Sequence, residues 1–537
     1  MAPTKILLLS MPDTFMGFSI ASILPNLGLA SIVGNRNPEE SDIRILDLVV
    51  KRYHVMQALK KALDEIQPEI VGLNCMSFQY FTARAISKWI KQEYNPNIKI
   101  IMGGYHPSLC YEEIGENIEG AVDATDEDYE KLKSNPWCDF IVRGEGEITL
   151  REFVHQFRTD QRYEDVQGLS WRNSEGIFVH NPARECLDLS TLKLPDRTTR
   201  LYPERYQIAG YPGDAVETSR GCNNQCKFCS IREMYGQNTG IRYYPLERVL
   251  QDIQHCVENG AKSILFIDDN ITQDPERFEK LCDLIIKKKK AKDFPKILEF
   301  HTQASAAGLL SRPNLIEKMG KAGFGIVFFG IENIRKANLK FFKKSIPIFR
   351  LKELVNRLHK ANIISFGGFI LGNPHDTLAD LRNNLEFARY LDLDFPAFQV
   401  LTPFPKTEIR EEIKDQGLLV NERNYKHYHG LYASVKTYHV DENRLEQEIL
   451  RSYYNYYTLK WFLKRLKRLH LLNRYLRYIY AVLRKYAPLA IDAWYEEFVL
   501  KINGLKKTQA ESRVLKKFEN IRDHRLDGLL VSESKKD

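Results

Sequence analysis

Thr218-Ser-Arg-Gly-Cys-Asn-Asn-Gln-Cys-Lys-Phe-Cys-Ser230 sets three thiols, Cys222, Cys226 and Cys229, in a CxxxCxxC spacing. Three thiolates can hold three irons of a four-iron, four-sulfur cluster, whose usual complement is four. The remaining iron is then open to a substrate or cofactor. Structural zinc needs a fourth Cys or His at ligand spacing, and the next candidates, His255 and Cys256, lie far downstream in a helical pattern. Disulfides need an oxidising compartment. The run Met1-Ala-Pro-Thr-Lys-Ile-Leu-Leu-Leu-Ser10 has a short apolar core and no cleavage site, so it reads as a first β-strand and not as a signal peptide.

Outward from that loop, 537 residues suffice for about three domains. With 43% apolar and 28% charged residues the composition is globular. No stretch of 18 apolar residues occurs, so no membrane-spanning helix is expected. Nine cysteines without a secretion signal point to a reducing, cytoplasmic setting. Away from the triplet they are scattered and read mostly as small buried hydrophobes. The net charge of +8 is uneven: residues 451–510 carry 13 Lys and Arg against three Asp and Glu. A basic partner surface therefore belongs at the C-terminal end.

Residues 1–155 alternate short apolar runs with helical periodicity. Strands are expected at Ile6–Ser10, Ile43–Leu46, Ile70–Asn74, Ile98–Gly103 and Phe140–Arg143, and helices at Val55–Ile66 and Thr82–Tyr94. This βαβ pattern predicts a parallel, Rossmann-like sheet with its ligand at the carboxyl ends of the strands. Residues 156–212 read as a proline-marked connector holding a small hairpin near 168–180. Residues 213–405 give six further βα units, too few for a closed eight-unit barrel and suited to a partial one. Residues 406–537 form a basic C-terminal region, helical by pattern from 440 to 510.

The chain resembles the cobalamin-binding radical S-adenosylmethionine enzymes, the group called class B methylases. The likeness covers roughly residues 1–410. It rests on ordered motifs: Pro25-Asn-Leu-Gly-Leu29, Gly103-Gly104 before His106-Pro107, Arg143-Gly-Glu-Gly-Glu147, Leu194-Pro-Asp-Arg197, the cysteine triplet, Asp268-Asp-Asn270, Gly330-Ile-Glu332, Gly372-Asn-Pro-His-Asp-Thr377 and Thr402-Pro-Phe-Pro405. The resemblance implies a Rossmann-like cobalamin domain, a partial (β/α)6 barrel and a helical C-terminal region. It also implies three cofactors: a 4Fe-4S cluster, S-adenosylmethionine and cobalamin.

By the same resemblance, Cys222, Cys226 and Cys229 ligate the cluster. Asp268, Asp269 and Asn270 meet the amino group of S-adenosylmethionine, although Asp269 or Asn270 could instead cap the following helix. Glu332 and Gln303 face its ribose or methionine part. Gly372 lets the backbone approach the adenine. Phe228 either stacks on the adenine or packs in the core. Arg220 and Lys227 bring positive charge to the cluster loop. In the first domain, Ser77 would meet the nucleotide tail of cobalamin, with Gly103 and Gly104 leaving room for it. His106 is either a neighbour of the corrin or an ordinary helix-start histidine. The Asp-x-His pattern that supplies an imidazole to cobalt is missing, since Asp47 is followed by Leu48-Val49-Val50.

The implied activity is methyl transfer to an unactivated carbon of a small-molecule or lipid substrate. An external flavodoxin- or ferredoxin-type protein would supply electrons. A cobalamin-dependent cyclisation, rearrangement or oxidation shares every one of these motifs. Methylthiolation of RNA fits less well, because its family carries a C-terminal β-barrel; no nucleic-acid partner is expected. A cobalamin sensor would not need the cysteine triplet. The aromatic and basic residues of 451–510 suggest either peripheral contact with an anionic membrane or a packed helical cap with a solvated basic face.

Overall fold

The computed structural model describes residues 2–13, 22–116, 137–236 and 239–466. Five parallel strands, Thr4–Ser10, Ser41–Asp47, Ile70–Asn74, Lys99–Gly103 and Phe140–Val142, form the first sheet. Their runs of Ile, Leu and Val suit strands covered on both faces. Counted in chain order they lie 2-1-3-4-5 across the sheet. The order reverses between the first and third strands, and a reversal of this kind opens a crevice at the carboxyl edge. The register is level there: Ser10 pairs with Asp47 and Asn74, and Asn74 with Gly103. Asn26 stitches that edge, donating to Asn74 Oδ1 at 2.9 Å while its own Oδ1 caps the helix Leu27–Gly34 through Leu29 N–H.

The hairpin Leu169–Arg172 and Phe178–His180 is present, but it pairs antiparallel onto Phe140–Val142 and extends the first sheet. The proline-marked stretch is thus shared. Gln207–Ile208 joins the second sheet instead, where it pairs with Ser22–Ile23 from the beginning of the chain.

The second sheet has six parallel strands in chain order: Tyr211–Val216, Ser263–Phe266, Glu299–Ala304, Phe324–Glu332, Ile364–Leu371 and Phe395–Val400. Among the described residues no strand pairs with the outer side of the last one, so the barrel is open. Amphipathic helices cover its outer face. Phe266, Phe300 and Phe324 stack across three strands with centroids 5.6–5.9 Å apart, and Phe278 meets Phe324 edge-on from the helix Pro275–Lys290. Each such ring contributes roughly 1.5–3 kcal/mol by burial.

The helix Glu442–Tyr456 packs on the last strand and is followed by Leu459–Leu466. Tyr453 lies against Phe398, and Tyr457 and Trp461 lie against Phe395. Tyr453, Tyr456, Tyr457 and Trp461 thus pack on the barrel's last strand, as the packed-cap alternative expects. The rest of the 451–510 segment lies outside the described residues. Among the described residues no helix is long and apolar enough to cross a membrane.

Candidate functional site

The cysteine loop leaves the first barrel strand through Ser219–Arg220, which pairs antiparallel with Arg242–Tyr243. Gly221 has φ +91°, a conformation that favours glycine, and its N–H donates to Asp269 at 2.9 Å. All three cysteines are free thiols. Burial pushes each thiol up, Cys229 to about 12, and the neighbouring thiols add to this for Cys226 and Cys229. Cys226 is buried and Cys222 and Cys229 are partly buried, and iron must displace their protons to bind. Among the described residues no three His, Cys, Asp or Glu side chains converge on a single ion. A four-iron cluster makes no such demand, because each thiolate sits on its own iron. Three unbridged thiols within eight residues fit that cluster.

The cation that faces these thiols is Lys344. Its Nζ lies 3.1 Å from Glu332 Oε1. Burial works against its charge, but Glu332 and the Cys226 and Cys222 thiols more than offset this and hold its pKa above the ordinary lysine value. The two cations expected in that role are committed elsewhere: Lys227 pairs with Glu408 and Glu412, and Arg220 with three carboxylates. Lys344 was not legible in the sequence because it stands in a run of lysines that resembles any solvated surface.

Glu332 ends the fourth barrel strand at a register shift, and its φ is +60°. A non-glycine residue in that region costs of order 1–3 kcal/mol, and such strain gathers at functional sites. Its carboxylate folds back over Gly330, where a Cβ would lie 2.0 Å from Oε1. The Gly-Ile-Glu motif thus aims one side chain into the barrel mouth.

The Asp268-Asp269-Asn270 motif is largely occupied by the fold. The Asp268 carboxylate accepts from Thr218 N–H and from the Thr218 and Ser219 hydroxyls, so it pins the start of the cysteine loop. Burial raises its pKa to about 6. Asn270 accepts from Thr272 and Ser305 N–H, the capping alternative. Gln303 donates to the Asp268 carbonyl at 2.7 Å. Asp269 also rises to about 6 through burial. It has one backbone donor and is the member best placed to meet a bound ammonium group. Gln273 takes a hydrogen bond from Cys222 at 3.4 Å, a contact the sequence did not suggest. Phe228 is partly buried and packs edge-on against Phe342 with centroids 5.2 Å apart. Gly372 has φ +87°, and a Cβ there would point at Leu445 and Val400, so a turn against the C-terminal helix explains this glycine.

In the first sheet the expected residues gather at one edge. Ser77 is buried with its hydroxyl 3.2 Å from His106 Nδ1. His106 is fully buried between Tyr80 and Tyr425, with centroids 4.4 and 4.6 Å away, which is the ordinary helix-start reading. Gly104, at φ +95°, could not carry a side chain in any case, since a Cβ would lie 3.0 Å from the Cys75 carbonyl. Gly103 differs: a Cβ there would meet only Val142, at 3.6 Å or more, which is ordinary packing contact. Asp47 is buried beside Val49 N–H and Asn26 N–H, and burial lifts it to about 6. Gly103, which has no side chain, and the exposed Met76 lie at the crevice edge, where a flat, largely apolar cofactor would rest.

The two halves meet at the cysteine loop. Arg220, 8% exposed, donates to Glu145 at 2.8 Å, Glu147 at 2.6 Å and Glu217 at 2.7 Å. Arg242 adds a second guanidinium to Glu145, and Ser31 donates to Glu147. Burial works against the charge of Glu147, but Arg220 outweighs it and keeps that carboxyl below its usual range. The Arg143-Gly-Glu-Gly-Glu147 motif is therefore the socket for the residue that precedes the first cluster cysteine by two. Tyr105 comes from the Gly103–Gly104 turn to the same junction. Burial, with Asp269, Tyr235 and Cys229 close by, holds its phenol well above the ordinary value.

Comparison with known proteins agrees with this geometry. Residues 216–388 match the radical SAM superfamily and residues 14–130 match the B12 binding domain. An uncharacterized methyltransferase of Pyrococcus horikoshii is 26% identical over 84% of this chain and 92% of its own length. The anaerobic magnesium-protoporphyrin IX monomethyl ester cyclase of Cereibacter sphaeroides is 23% identical over 83% of this chain and 69% of its own. The solved structure of the radical S-adenosylmethionine methyltransferase TsrM from Kitasatospora setae, with cobalamin and a [4Fe-4S] cluster bound, superposes with a TM-score of 0.61 at 18% identity, covering 77% of this chain and 78% of that one. The two matched domains bring with them a 4Fe-4S cluster, S-adenosylmethionine and cobalamin. With both domains in one polypeptide and the edge of the first facing the cysteine loop of the second, the chain belongs to the cobalamin-binding radical S-adenosylmethionine enzymes.

Proposed function

We propose that this enzyme transfers a methyl group to an unactivated carbon of a small molecule, within the crevice between the first sheet's carboxyl edge and the barrel mouth. The observation that supports the reading is the junction at Arg220: two residues before Cys222 it pairs with Glu145 and Glu147, and Ser108 ties the Gly104 carbonyl to Gly144 N–H of the same turn. When bound, the cluster with S-adenosylmethionine supplies radical chemistry and cobalamin supplies the methyl carrier. The protein's part is positioning and exclusion of water. Cys222, Cys226 and Cys229 hold three irons. Asp269 and Glu332 offer carboxylates to the polar end of S-adenosylmethionine, and Lys344 balances their charge. Gly103, which has no side chain, would border the cobalamin tail, with Ser77 on the same edge. The Asp47 turn would offer a bound cobalamin no imidazole, because Leu48, Val49 and Val50 follow it. A flavodoxin- or ferredoxin-type protein supplies the electrons.

The second reading, cobalamin-dependent ring formation, is favoured by the likeness to the cyclase of Cereibacter sphaeroides. The two part on the fate of the methyl group. Anaerobic turnover with methyl-deuterated S-adenosylmethionine and extract metabolites, followed by mass spectrometry, should place the label in a product carbon. A product formed without label would select the cyclase reading. Reconstituted protein should hold about four irons per chain, and replacing all three loop cysteines with alanine should remove them.

A further inference from the structure

A continuous set of hydrogen bonds and ion pairs joins the two cofactor turns. Ser108 Oγ donates to the Gly104 carbonyl at 2.7 Å and accepts from Gly144 N–H at 3.0 Å. Gly144 opens the socket turn whose Glu145 and Glu147 clasp Arg220. Arg220 is followed by Gly221, anchored on Asp269, and then by Cys222. The path therefore runs from the corrinoid turn to the first cluster ligand with no exposed step. Five charges meet at its centre: Glu145, Glu147 and Glu217 against Arg220 and Arg242. Removing the arginine from its socket would leave buried carboxylates uncompensated, which is strongly unfavourable. A junction whose opening costs this much is an element through which binding energy at one site can reach the other.

We propose that the corrinoid and cluster sites are energetically coupled through this junction: filling either one favours the docked Arg220 and so strengthens the other. The proposal rests on the placement of the corrinoid at the Gly103–Gly104 turn. Coupling of this kind is reciprocal, and its usual size is a factor of about 5–150. Ser108 and Glu147 act as positioning residues, since they touch the turns and not the reacting atoms.

The test measures hydroxocobalamin affinity by quenching of intrinsic fluorescence, on the full chain with and without reconstituted cluster. It also measures the rate of iron loss to a chelator, with and without hydroxocobalamin. Cobalamin should bind about tenfold tighter to the cluster-loaded protein, and it should slow iron loss. In Ser108→Ala, which removes the link while leaving Arg220 paired, both effects should shrink toward one-fold. Glu147→Gln, which neutralises one wall of the socket, should shrink them too. Equal affinity in both cluster states of the natural protein would overturn the coupling alone. Failure to bind hydroxocobalamin in either state would overturn the corrinoid placement and the coupling with it. Coupling that persists undiminished in both variants would overturn the assigned path.

Discussion

Lys344 puts a full positive charge beside thiols that burial holds in their neutral form. Reduction adds an electron to a bound cluster, so a nearby cation favours the reduced state. Lys344→Met should move the cluster potential to a more negative value, and Lys344→Arg should largely keep it. Glu332→Gln removes the opposing charge and should move the potential the other way. Redox titration followed by electron paramagnetic resonance reads all three. A general loosening of the site would shift every variant in one direction, which would discount Lys344 as the tuning charge.

Asp268 supplies a test in pH. Its carboxyl is raised from 3.8 to about 6 by burial, so between those values the folded chain holds a proton that the unfolded chain has lost. The stability this contributes is complete below the unfolded value and is lost as pH rises through the folded one. Relative to Asp268→Asn, the natural protein should therefore lose stability between pH 4 and pH 6, by about 1.4 kcal/mol per unit. Thermal melts of both proteins across that range check the sign. A constant difference would mean that the raised value is not that of Asp268. The cysteines, Glu332 and Asp269 were legible in the sequence because a spacing or a strand end marks them. The partners of Arg220 were not, since two of them stand some 75 residues away and only folding makes them neighbours.

At the scale of elements, the outer edge of the last barrel strand is the clearest case of side chain replacing backbone. Tyr453 Oη accepts from Phe398 N–H and donates to the Phe398 carbonyl, each at 3.0 Å. One phenol does the work of a missing strand and blunts an exposed edge. Tyr453→Phe would leave both backbone groups unpaired beneath a ring of the same shape. A loss of about 1–3 kcal/mol is expected in chemical denaturation. A neutral outcome would show that water reaches Phe398. Parallel strands and covering helices were readable from hydrophobic period, and the first-sheet strands fall where the apolar runs place them. The role of Tyr453 was not readable, because a tyrosine among basic residues suits a membrane surface as well as a barrel flank. Period likewise could not say which sheet the hairpin at 169–180 would join, since both readings need the same alternation.

Across the whole molecule, the connector is a strap. Asp196 pairs with Arg36 behind the first sheet, and its N–H donates to the Ala30 carbonyl at 2.9 Å. Arg197, almost fully buried, reaches Asp252, Asp214 and the Ala215 carbonyl under the barrel. Arg197→Met would strand the buried Asp252 carboxylate, while Asp214 keeps Arg200, and should cost about 3–5 kcal/mol. The melting temperature, followed by circular dichroism, should drop for both sheets together. Independent melting of the halves would show the strap to be dispensable.

One pairing reaches further. Ser22–Ile23, from the opening stretch of the first sheet's sequence, lies as the outermost strand beside Gln207–Ile208 on the barrel's sheet. The boundary in space is therefore not a boundary in the gene. A fragment that begins at 213 lacks both of those strands, and its first barrel strand presents bare backbone to any passing chain, a known route to aggregation. A fragment that ends near 155 carries an orphan strand of its own. Neither half is therefore closed on its own, and a cut at either point parts two strands that the fold keeps together.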